Sequence, residues 1–376
     1  MIYAFIVILF SFFGLSFYVF IRGLQALPPF LWLKIIYSVI FIGSMAAFFV
    51  KMFLGDNMRQ SAGTVLSAVG FTWMIALVYF AIFILGVDII RLINRIFDIY
   101  PLYIKENYQL VKTLLFVFGI VVVTSVLAYG NYKFNNPVIT TLDLTTHKPL
   151  PGGKLKLVVA SDIHLSSYIN KKDLKKYVEL INTQKGDVIL LAGDIADRDP
   201  HPLINQNMKE ELGKLYAPRG VFAITGNHEF YGRKREEIYN YIKSSGITFL
   251  KDSVALVDSA FYIVGRDDIT NSGRISLDTL LRNTDKSLPV ILLDHQPRNL
   301  EDAAKNGVDL QFSGHTHNGQ FWPGNILVKL FFKHSYGYLR IGDTQYFVTS
   351  GLGLWGPKYR IGTKSEIVVI NLISDK

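Results

Sequence analysis

The chain has 376 residues, a formal net charge of +9 and no cysteine. This length is enough for two domains, and the absence of cysteine excludes a disulfide framework or a thiolate metal site. The charge divides into +4 over residues 1–130 and +5 over the rest. Neither part has a dense basic tract, so nucleic-acid binding is not expected.

Residues 1–130 contain four apolar stretches long enough to cross a bilayer, which takes about 20 residues. We predict spans at about residues 2–21, 31–50, 64–87 and 109–129. The first stretch lacks the cationic leader and the cleavage pattern of a signal peptide, so we expect it to be an anchor. The sequence therefore predicts an integral, multi-pass protein of the cell membrane, with the lipid bilayer as its partner.

The cations between the spans predict the orientation, because cytoplasmic loops carry an excess of Lys and Arg. The second connection holds only Lys51 and Arg59. The first and third connections lie on the opposite side and hold more cations: Arg22, Lys34, Arg91, Arg95, Lys105 and Lys112. This bias predicts that both termini, and with them the second half of the chain, are extracytoplasmic.

After the spans we expect a polar linker and an edge strand over residues 131–153, with the strand at Pro137–Thr145. A soluble domain is expected over residues 154–376. Helical spacing is seen at Lys171–Thr183 and Arg233–Ser245. Five short apolar runs that each precede a polar residue are expected to be strands of an α/β sheet: Leu155–Ala160, Asp187–Ala192, Val221–Thr225, Val290–Leu293 and Val308–Phe312.

The last quarter of the chain is rich in alternating segments, which suggest a second sheet packed on the first. These segments are Phe261–Gly265, Tyr338–Ile341, Tyr346–Thr349 and Ile367–Leu372. The predicted fold is therefore a four-helix transmembrane region followed by an α/β domain of two packed β-sheets flanked by helices. An aromatic stretch, Phe321-Trp322 with Ile326 to Phe332, is expected to belong to the core rather than to contact lipid.

The polar residues that follow the five strands form an ordered set of motifs. They are Asp162-Ile163-His164, Gly193-Asp194, Gly226-Asn227-His228-Glu229, Asp294-His295 and Gly314-His315-Thr316-His317. Each motif alone is common. Together they contain five of the eight histidines, and they supply the ligand types that a paired metal site needs.

At these residues the chain resembles the calcineurin-like metallophosphoesterase superfamily, and more locally its membrane-associated bacterial branch. All five motifs of the superfamily pattern are intact, and the resemblance extends over about residues 137–372, including Arg360-Ile361-Gly362 and Glu366-Ile367 near its end. It implies an αββα sandwich and a dinuclear metal centre. It also implies hydrolysis of phosphate mono- or diesters by a hydroxide that bridges the two metals.

Carried over to this chain, the resemblance assigns Asp162, His164 and His317 to one metal ion. Asn227, His295 and His315 are assigned to the other, and Asp194 bridges both. Hard oxygen ligands and imidazoles suit Mn, Fe, Zn or Co, and the sequence does not choose among these four.

Two further residues acquire roles from the resemblance. His228 is expected to assist departure of the leaving oxygen, and Asp197 to orient that histidine. The alternative for Asp197 is a helix N-cap. His147, His201 and His334 are expected to be ordinary surface histidines.

The sequence leaves the substrate open. The expected substrate is a phosphate ester, and a lipid and a nucleotide are the two classes left open. One alternative is a lipid-linked nucleotide pyrophosphatase of the UDP-diacylglucosamine hydrolase type, which would require a cytoplasmic site. Another is a sensor or scaffold without activity, which the complete ligand set disfavours. A transporter is disfavoured because the predicted spans lack polar groups marking an ion path.

Overall fold

The computed structural model describes residues 2–54, 60–232 and 234–375. It divides the chain into two compact units, Met1–Tyr129 and Gly130–Lys376. Arg59, used above to predict orientation, and Arg233, the predicted start of a helix, lie outside the described residues. The domain limits given above stay predictions.

The first unit is helical. Among the described residues, four helices are long and apolar enough to cross a membrane. They are α1 (Ile2–Ala26), α2 (Leu31–Leu54), α3 (Gln60–Phe97) and, after the short α4 (Leu102–Glu106), α5 (Tyr108–Asn135). Each is longer than the predicted span it contains.

The first unit buries few of its side chains. Val19, Phe41, Leu77 and Ala81 form a small apolar cluster, while most other apolar residues of these helices are partly or fully exposed. Helices that are apolar on every side occur in membranes or in large cores. The first unit thus has the character of a membrane-spanning region.

The second unit begins within the last turns of α5. Helix α5 continues through residues 131–135, where the sequence predicts a linker, because Phe134 is buried in a core cluster of the second unit. The strands that follow are β1 (Val138–Thr146), β2 (Lys154–Ala160), β3 (Val188–Ala192), β4 (Val221–Ile224), β5 (Thr248–Phe249), β6 (Ser253–Val257), β7 (Phe261–Gly265), β8 (Val290–Leu293), β9 (Leu310–Ser313), β10 (Gly337–Ile341), β11 (Thr344–Val348) and β12 (Glu366–Ser374).

These strands form two six-stranded sheets. The first sheet has the order β1-β12-β2-β3-β4-β5, and β2 to β5 are parallel. The second has the order β10-β11-β9-β8-β7-β6, with β11, β9, β8 and β7 parallel. The segment predicted at Pro137–Thr145 corresponds to β1, which lies at the edge of the first sheet.

Period-two alternation explains how the sheets pack. Leu155, Leu157 and Val159 of β2 join the cluster between the two sheets, while Val158 and Ala160 point to the outer face. The outer face of each sheet is covered by helices. The result is a two-sheet sandwich flanked by helices, as the sequence predicts.

Eight helices of the second unit are described: α6 (Lys171–Thr183), α7 (His201–Asn205), α8 (Lys209–Leu212), α9 (Asn227–Tyr231), α10 (Arg235–Lys243), α11 (Leu277–Leu281), α12 (Leu300–Lys305) and α13 (Gly324–Phe331). Helix α6 coincides with its predicted segment. It begins at a capping box in which Asn170 accepts from backbone amides and the Asp173 carboxylate accepts from the Asn170 amide.

Two sequence expectations need correction. The segment at Ile367–Leu372 belongs to β12 of the first sheet, between β1 and β2, and not to the second sheet. The aromatic stretch after Phe321 is not core. Helix α13 has no buried residue, and Leu330 and Phe331 are each 75% exposed.

Candidate metal centre

The seven predicted metal ligands all lie just beyond the carboxyl ends of strands, with Asn227 as the first residue of α9. They follow β2 (Asp162, His164), β3 (Asp194), β4 (Asn227), β8 (His295) and β9 (His315, His317). The first three strands belong to one sheet and the last two to the other. Because the two sheets pack face to face, loops distant in sequence meet at one end of the sandwich.

One group of side chains consists of Asp162, His164 and His317. The Nε2 atoms of His164 and His317 are 3.2 Å apart. They lie 3.9 Å and 3.4 Å from Asp162 Oδ1. Ligand atoms of the three residues thus lie close enough together to share one cation.

A second group consists of Asp194, His295 and His315. Asp194 Oδ2 lies 3.1 Å from His295 Nε2 and 3.7 Å from His164 Nε2, so this carboxylate stands between the two groups. Asn227 Oδ1 lies 2.5 Å from His315 Nδ1. The structure therefore brings together all seven predicted ligands.

Burial keeps most of these imidazoles neutral, as metal ligation requires. It lowers the pKa of His164 to about 3 and that of His315 to about 4, and it places the pKa of His317 well below its usual value. Burial also raises the pKa of Asp162 to about 6. Burial would also lower the pKa of His295, but the neighbouring Asp194 carboxylate outweighs this effect and raises the pKa of His295.

The buried polar atoms fit a pair of divalent cations. The Nε2 atoms of His164, His295 and His317 face one another and the carboxylates of Asp162 and Asp194 in a buried cluster. Buried groups of this kind are costly unless something compensates them. Two carboxylates and neutral imidazoles without thiolate form a donor set that suits Mn, Fe, Zn or Co.

The backbone at the ligands is strained. Five of them have positive φ, a conformation that residues other than glycine rarely adopt: Asp162 (56°), His164 (53°), Asp194 (50°), His315 (69°) and His317 (50°). Such strain persists only where the surrounding structure enforces it, and it concentrates at functional sites.

Glycines precede several ligands because a neighbouring ligand occupies the space of a side chain. A Cβ on Gly226 would lie 2.2 Å from Asp194 Oδ1, and one on Gly314 would lie 2.2 Å from Asp162 Oδ2. The Gly-Asn and Gly-His pairs of the motifs thus let two loops approach closely.

The predicted pair of His228 and Asp197 is in contact. Asp197 Oδ1 lies 2.7 Å from His228 Nδ1, and Asp197 does not cap a helix. Partial burial would lower the pKa of His228, but the hydrogen bond to Asp197 and the charge of Asp194 outweigh it and raise this pKa. Because Nδ1 is engaged, Nε2 is the atom available to exchange a proton.

Comparison with known proteins identifies the family of the chain. The model of the calcineurin-like phosphoesterase family matches residues 155–319, which include every predicted ligand. An uncharacterized metallophosphoesterase of Campylobacter jejuni is 32% identical over 286 residues, covering 72% of this chain and 73% of the relative. The chain belongs to the calcineurin-like phosphoesterase family.

The chain is also similar to a membrane protein and to a solved phosphatase structure. A transmembrane protein with a metallophosphoesterase domain from Bos taurus is 28% identical, over 63% of this chain and 57% of that protein. Among solved structures, a dimetal phosphatase from Danio rerio matches with a TM-score of 0.37 and 14% identity, over 57% of this chain and 98% of that one.

Sequence reasoning assigned no role to Glu229, although it ends one of the motifs. Its buried carboxylate accepts hydrogen bonds from the backbone amides of Ala196 (2.8 Å), Gly226 (2.8 Å) and Asp194 (3.2 Å). Burial, together with the charge of Asp194, raises its pKa to about 7. Glu229 thus connects the loop after β3 to the segment after β4. Its position as the fourth residue of the motif Gly226–Glu229 was the feature of the sequence that could have pointed to this role.

Arg360 belongs to the sequence resemblance, which assigns it no function. Its guanidinium is fully buried and donates to the carbonyls of His317 (3.1 Å), Gly351 (3.1 Å) and Gly353 (2.5 Å). Burial lowers its pKa to about 10, within the range where it stays charged near neutral pH. It joins the loop that carries His317 to the segment that packs under Asp162.

Gln296, which follows His295, was also missed. Its side-chain amide donates to both carboxylate oxygens of the buried Asp268, at 3.0 Å and 3.1 Å. Asp268 comes from the loop after β7, where no motif pointed to it. The three remaining histidines lie apart from the candidate metal centre: His147 and His201 pair with nearby carboxylates, and His334 contacts the Gly337 carbonyl.

Proposed function

We propose that this chain is a membrane-anchored phosphoesterase with a dinuclear metal centre that hydrolyses phosphate mono- or diesters. Residues 1–130 form its transmembrane region and residues 154–376 its catalytic domain. The observation that carries the proposal is the convergence of seven ligand-type side chains from beyond the carboxyl ends of five strands, with buried imidazole nitrogens that face two carboxylates.

The ligands divide around the shared carboxylate. Asp162, His164 and His317 hold one ion, Asn227, His295 and His315 hold the other, and Asp194 contacts both. Bound there, two divalent cations supply an activated water and neutralise the charge of a phosphate group.

His228 is the proton donor in this proposal. The hydrogen bond to Asp197 fixes the ring and leaves Nε2 free, and the raised pKa of His228 keeps that atom protonated for longer as the pH rises. A proton at Nε2 assists departure of the leaving oxygen. Asp197 acts by positioning His228.

The cation bias of the connections supports an extracytoplasmic catalytic domain. A pyrophosphatase of the UDP-diacylglucosamine hydrolase type needs the opposite topology. An inactive sensor or scaffold is disfavoured because the ligand set is complete.

The proposal is tested by assaying the detergent-solubilised full chain, loaded in turn with each candidate metal, on a phosphate monoester and a diester. We expect hydrolysis that a chelator abolishes and that His228→Ala lowers by about 10²–10⁴-fold, the usual contribution of a proton donor. His201→Ala, at an exposed histidine, serves as the matched control. If the metal-loaded chain hydrolyses no ester, the sensor or scaffold alternative replaces the proposal.

A second candidate function, hydrolysis of an amphiphilic phosphate ester, is favoured by helix α13. Its exposed face carries Ile326, Leu327, Leu330 and Phe331, with Lys329 in the last turn. An exposed apolar helix with cations is typical of membrane-surface contacts. Phe332, which follows the helix, packs edge-on against His315, with ring centroids 5.7 Å apart.

A substrate carried in lipid would therefore reach the centre past this helix. We expect Leu330→Gln with Phe331→Gln to lower hydrolysis of a vesicle-borne phosphate ester several-fold while leaving a water-soluble ester unaffected. Tyr216→Gln, at another exposed aromatic residue, is the control. Equal loss on both substrates would contradict the amphiphile candidate and leave the phosphoesterase proposal standing.

A further inference from the structure

The first unit contains an elongated cavity that the phosphoesterase proposal does not use. It has a volume of about 390 Å³ and lies between α1, α2, α3 and α5. This volume falls within the roughly 300–1,000 Å³ of small-molecule sites. On α3 its lining runs from Trp73 to Arg91, which at the rise of an α-helix is a distance of about 27 Å. The cavity is therefore long enough for an extended chain rather than a compact molecule.

The walls of the cavity are apolar and aromatic along most of its length. Phe41 and Trp73 meet edge to face at 4.4 Å, and Phe80 and Ile84 continue the same stripe of α3. Helix α5 contributes Phe116 and other apolar residues. Such walls solvate hydrocarbon and offer little to a polar ligand.

Cations line the opposite end of the cavity. Arg22 of α1, Arg91 of α3 and Lys112 of α5 all belong to its lining. They come from the ends of their helices that share one side of the predicted membrane. Arg91 and Lys112 both lie over the ring of Tyr108, at 5.9 Å and 5.4 Å from its centroid, which holds these two cations near each other.

A single carboxylate partly neutralises this end. Asp88 pairs with Arg22 at 2.7 Å and with Arg91 at 3.0 Å. Lys112 donates to the neutral carbonyl of Gln25 at 3.0 Å. Among the described ion pairs, two of the three cations therefore share one anion and Lys112 has no carboxylate partner, which leaves an excess of positive charge.

We propose that this cavity binds a membrane amphiphile with an anionic phosphate head group. The head group lies at Arg22, Arg91 and Lys112, and a hydrocarbon chain fills the apolar length of the cavity. Basic pockets between membrane helices recognise lipid phosphates in this way, and guanidinium groups match phosphate geometry. The site is separate from the candidate metal centre and needs no activity there.

Excess cations at helix ends also occur as simple topology signals. Arg95 provides the comparison, since it is an exposed cation near the same end of α3 and does not line the cavity. If the cations acted only as topology signals, Arg95 and the cavity cations would contribute equally to lipid binding. A built site would depend on the cavity cations only.

The test is native mass spectrometry of the detergent-solubilised full chain incubated with phosphatidylglycerol or with phosphatidylcholine. We expect phosphatidylglycerol to be retained at least about tenfold more. Arg22→Gln with Lys112→Gln should remove this preference, whereas Arg95→Gln should keep it. Leu115→Trp, which fills the cavity from α5, should reduce retention of phosphatidylglycerol with every cation in place.

Folding of each variant is checked by its thermal unfolding midpoint in detergent. Equal retention of the two lipids by the unsubstituted chain would overturn the proposal. So would an equal loss in Arg95→Gln and the double variant, or unchanged retention in Leu115→Trp.

Discussion

Gly226 and Gly314 each stand directly before a predicted ligand, and each lies against a carboxylate from another loop. Five of the ligands also have positive φ, a strained conformation that concentrates at functional sites. Motif glycines and ligands are thus parts of one packing arrangement.

Substitution of Gly226 tests this packing. In Gly226→Ala the new Cβ would lie 2.2 Å from Asp194 Oδ1, so the carboxylate must move. We expect metal affinity to fall at least tenfold and stability by about 1–3 kcal/mol, the usual cost of overpacking. Titration calorimetry with the metal measures the affinity, and the unfolding midpoint measures the stability. Gly273→Ala, at an exposed glycine with no positive φ, should change neither.

Arg360 positions the loop of His317 through backbone carbonyls. Arg360→Met keeps much of the apolar volume but removes the guanidinium donor from three buried carbonyls. The carbonyls of His317 and Gly351 keep backbone donors, from Gln320 and Glu366. We expect the free energy of unfolding to fall by about 3 kcal/mol and metal retention to weaken. Unfolding midpoints measure the first effect, and metal content after dialysis measures the second. Arg282→Met, at an exposed arginine, is the control. Unchanged metal retention in Arg360→Met would show that this arginine does not position the centre.

Among the elements, the strands before the motifs were predictable and their sheet partners were not. Short apolar runs bounded by turn residues placed β2, β3, β4, β8 and β9 to within two residues. Pairing depends on contacts between distant segments, so the division of these strands between two sheets and the insertion of β12 did not follow from local pattern.

Local sequence pattern also failed to reveal the tertiary contacts of residues at and near the candidate site. An apolar run such as α13 does not reveal whether it faces a core or solvent, so its exposure was missed. The family motifs fixed which residues converge, whereas Asp268 and Gln296 lie outside those motifs and were found only through their contact. Arg360 was visible in the sequence, but its carbonyl partners were not.

Glu366, at the start of β12, links this strand to β1 and to the segment after β11. It accepts hydrogen bonds from Thr140 (2.6 Å), Thr349 (2.9 Å) and the Ser350 amide (2.9 Å). Burial would raise the pKa of Glu366, but these donors and Lys364 outweigh it and lower the pKa below its usual value of 4.5. The carboxylate therefore stabilises the fold above about pH 4.5, and this contribution is lost as the pH falls through the lowered pKa.

Glu366→Gln should accordingly unfold at a lower temperature than the unsubstituted chain at pH 7. The difference should narrow steadily below about pH 4.5, because the unsubstituted chain then loses its own advantage. Unfolding midpoints across this pH range provide the measurement, with the exposed Glu179→Gln as control. A difference that stays constant down to pH 3 would contradict the assigned linkage.

As a whole, the molecule combines four membrane-type helices with a phosphoesterase domain, and the orientation of the two in the membrane decides which substrates are accessible. Because the chain has no cysteine, single introduced cysteines report orientation directly. Asp343→Cys lies in the turn between β10 and β11, and Glu106→Cys lies in the third connection.

We expect a membrane-impermeant maleimide to label Asp343→Cys in intact cells and to label Glu106→Cys only after permeabilisation. The reverse pattern would place the catalytic domain in the cytoplasm and favour the alternative of a lipid-linked nucleotide pyrophosphatase.

The central claim is that seven side chains hold two adjacent cations around Asp194. Metal content per chain, measured by elemental mass spectrometry on the purified full chain after metal loading and desalting, tests it most directly. We expect two equivalents in the unsubstituted chain and almost none in Asp194→Asn, because this carboxylate contacts both groups. Two retained equivalents in Asp194→Asn, or none in the unsubstituted chain with any candidate metal, would contradict it.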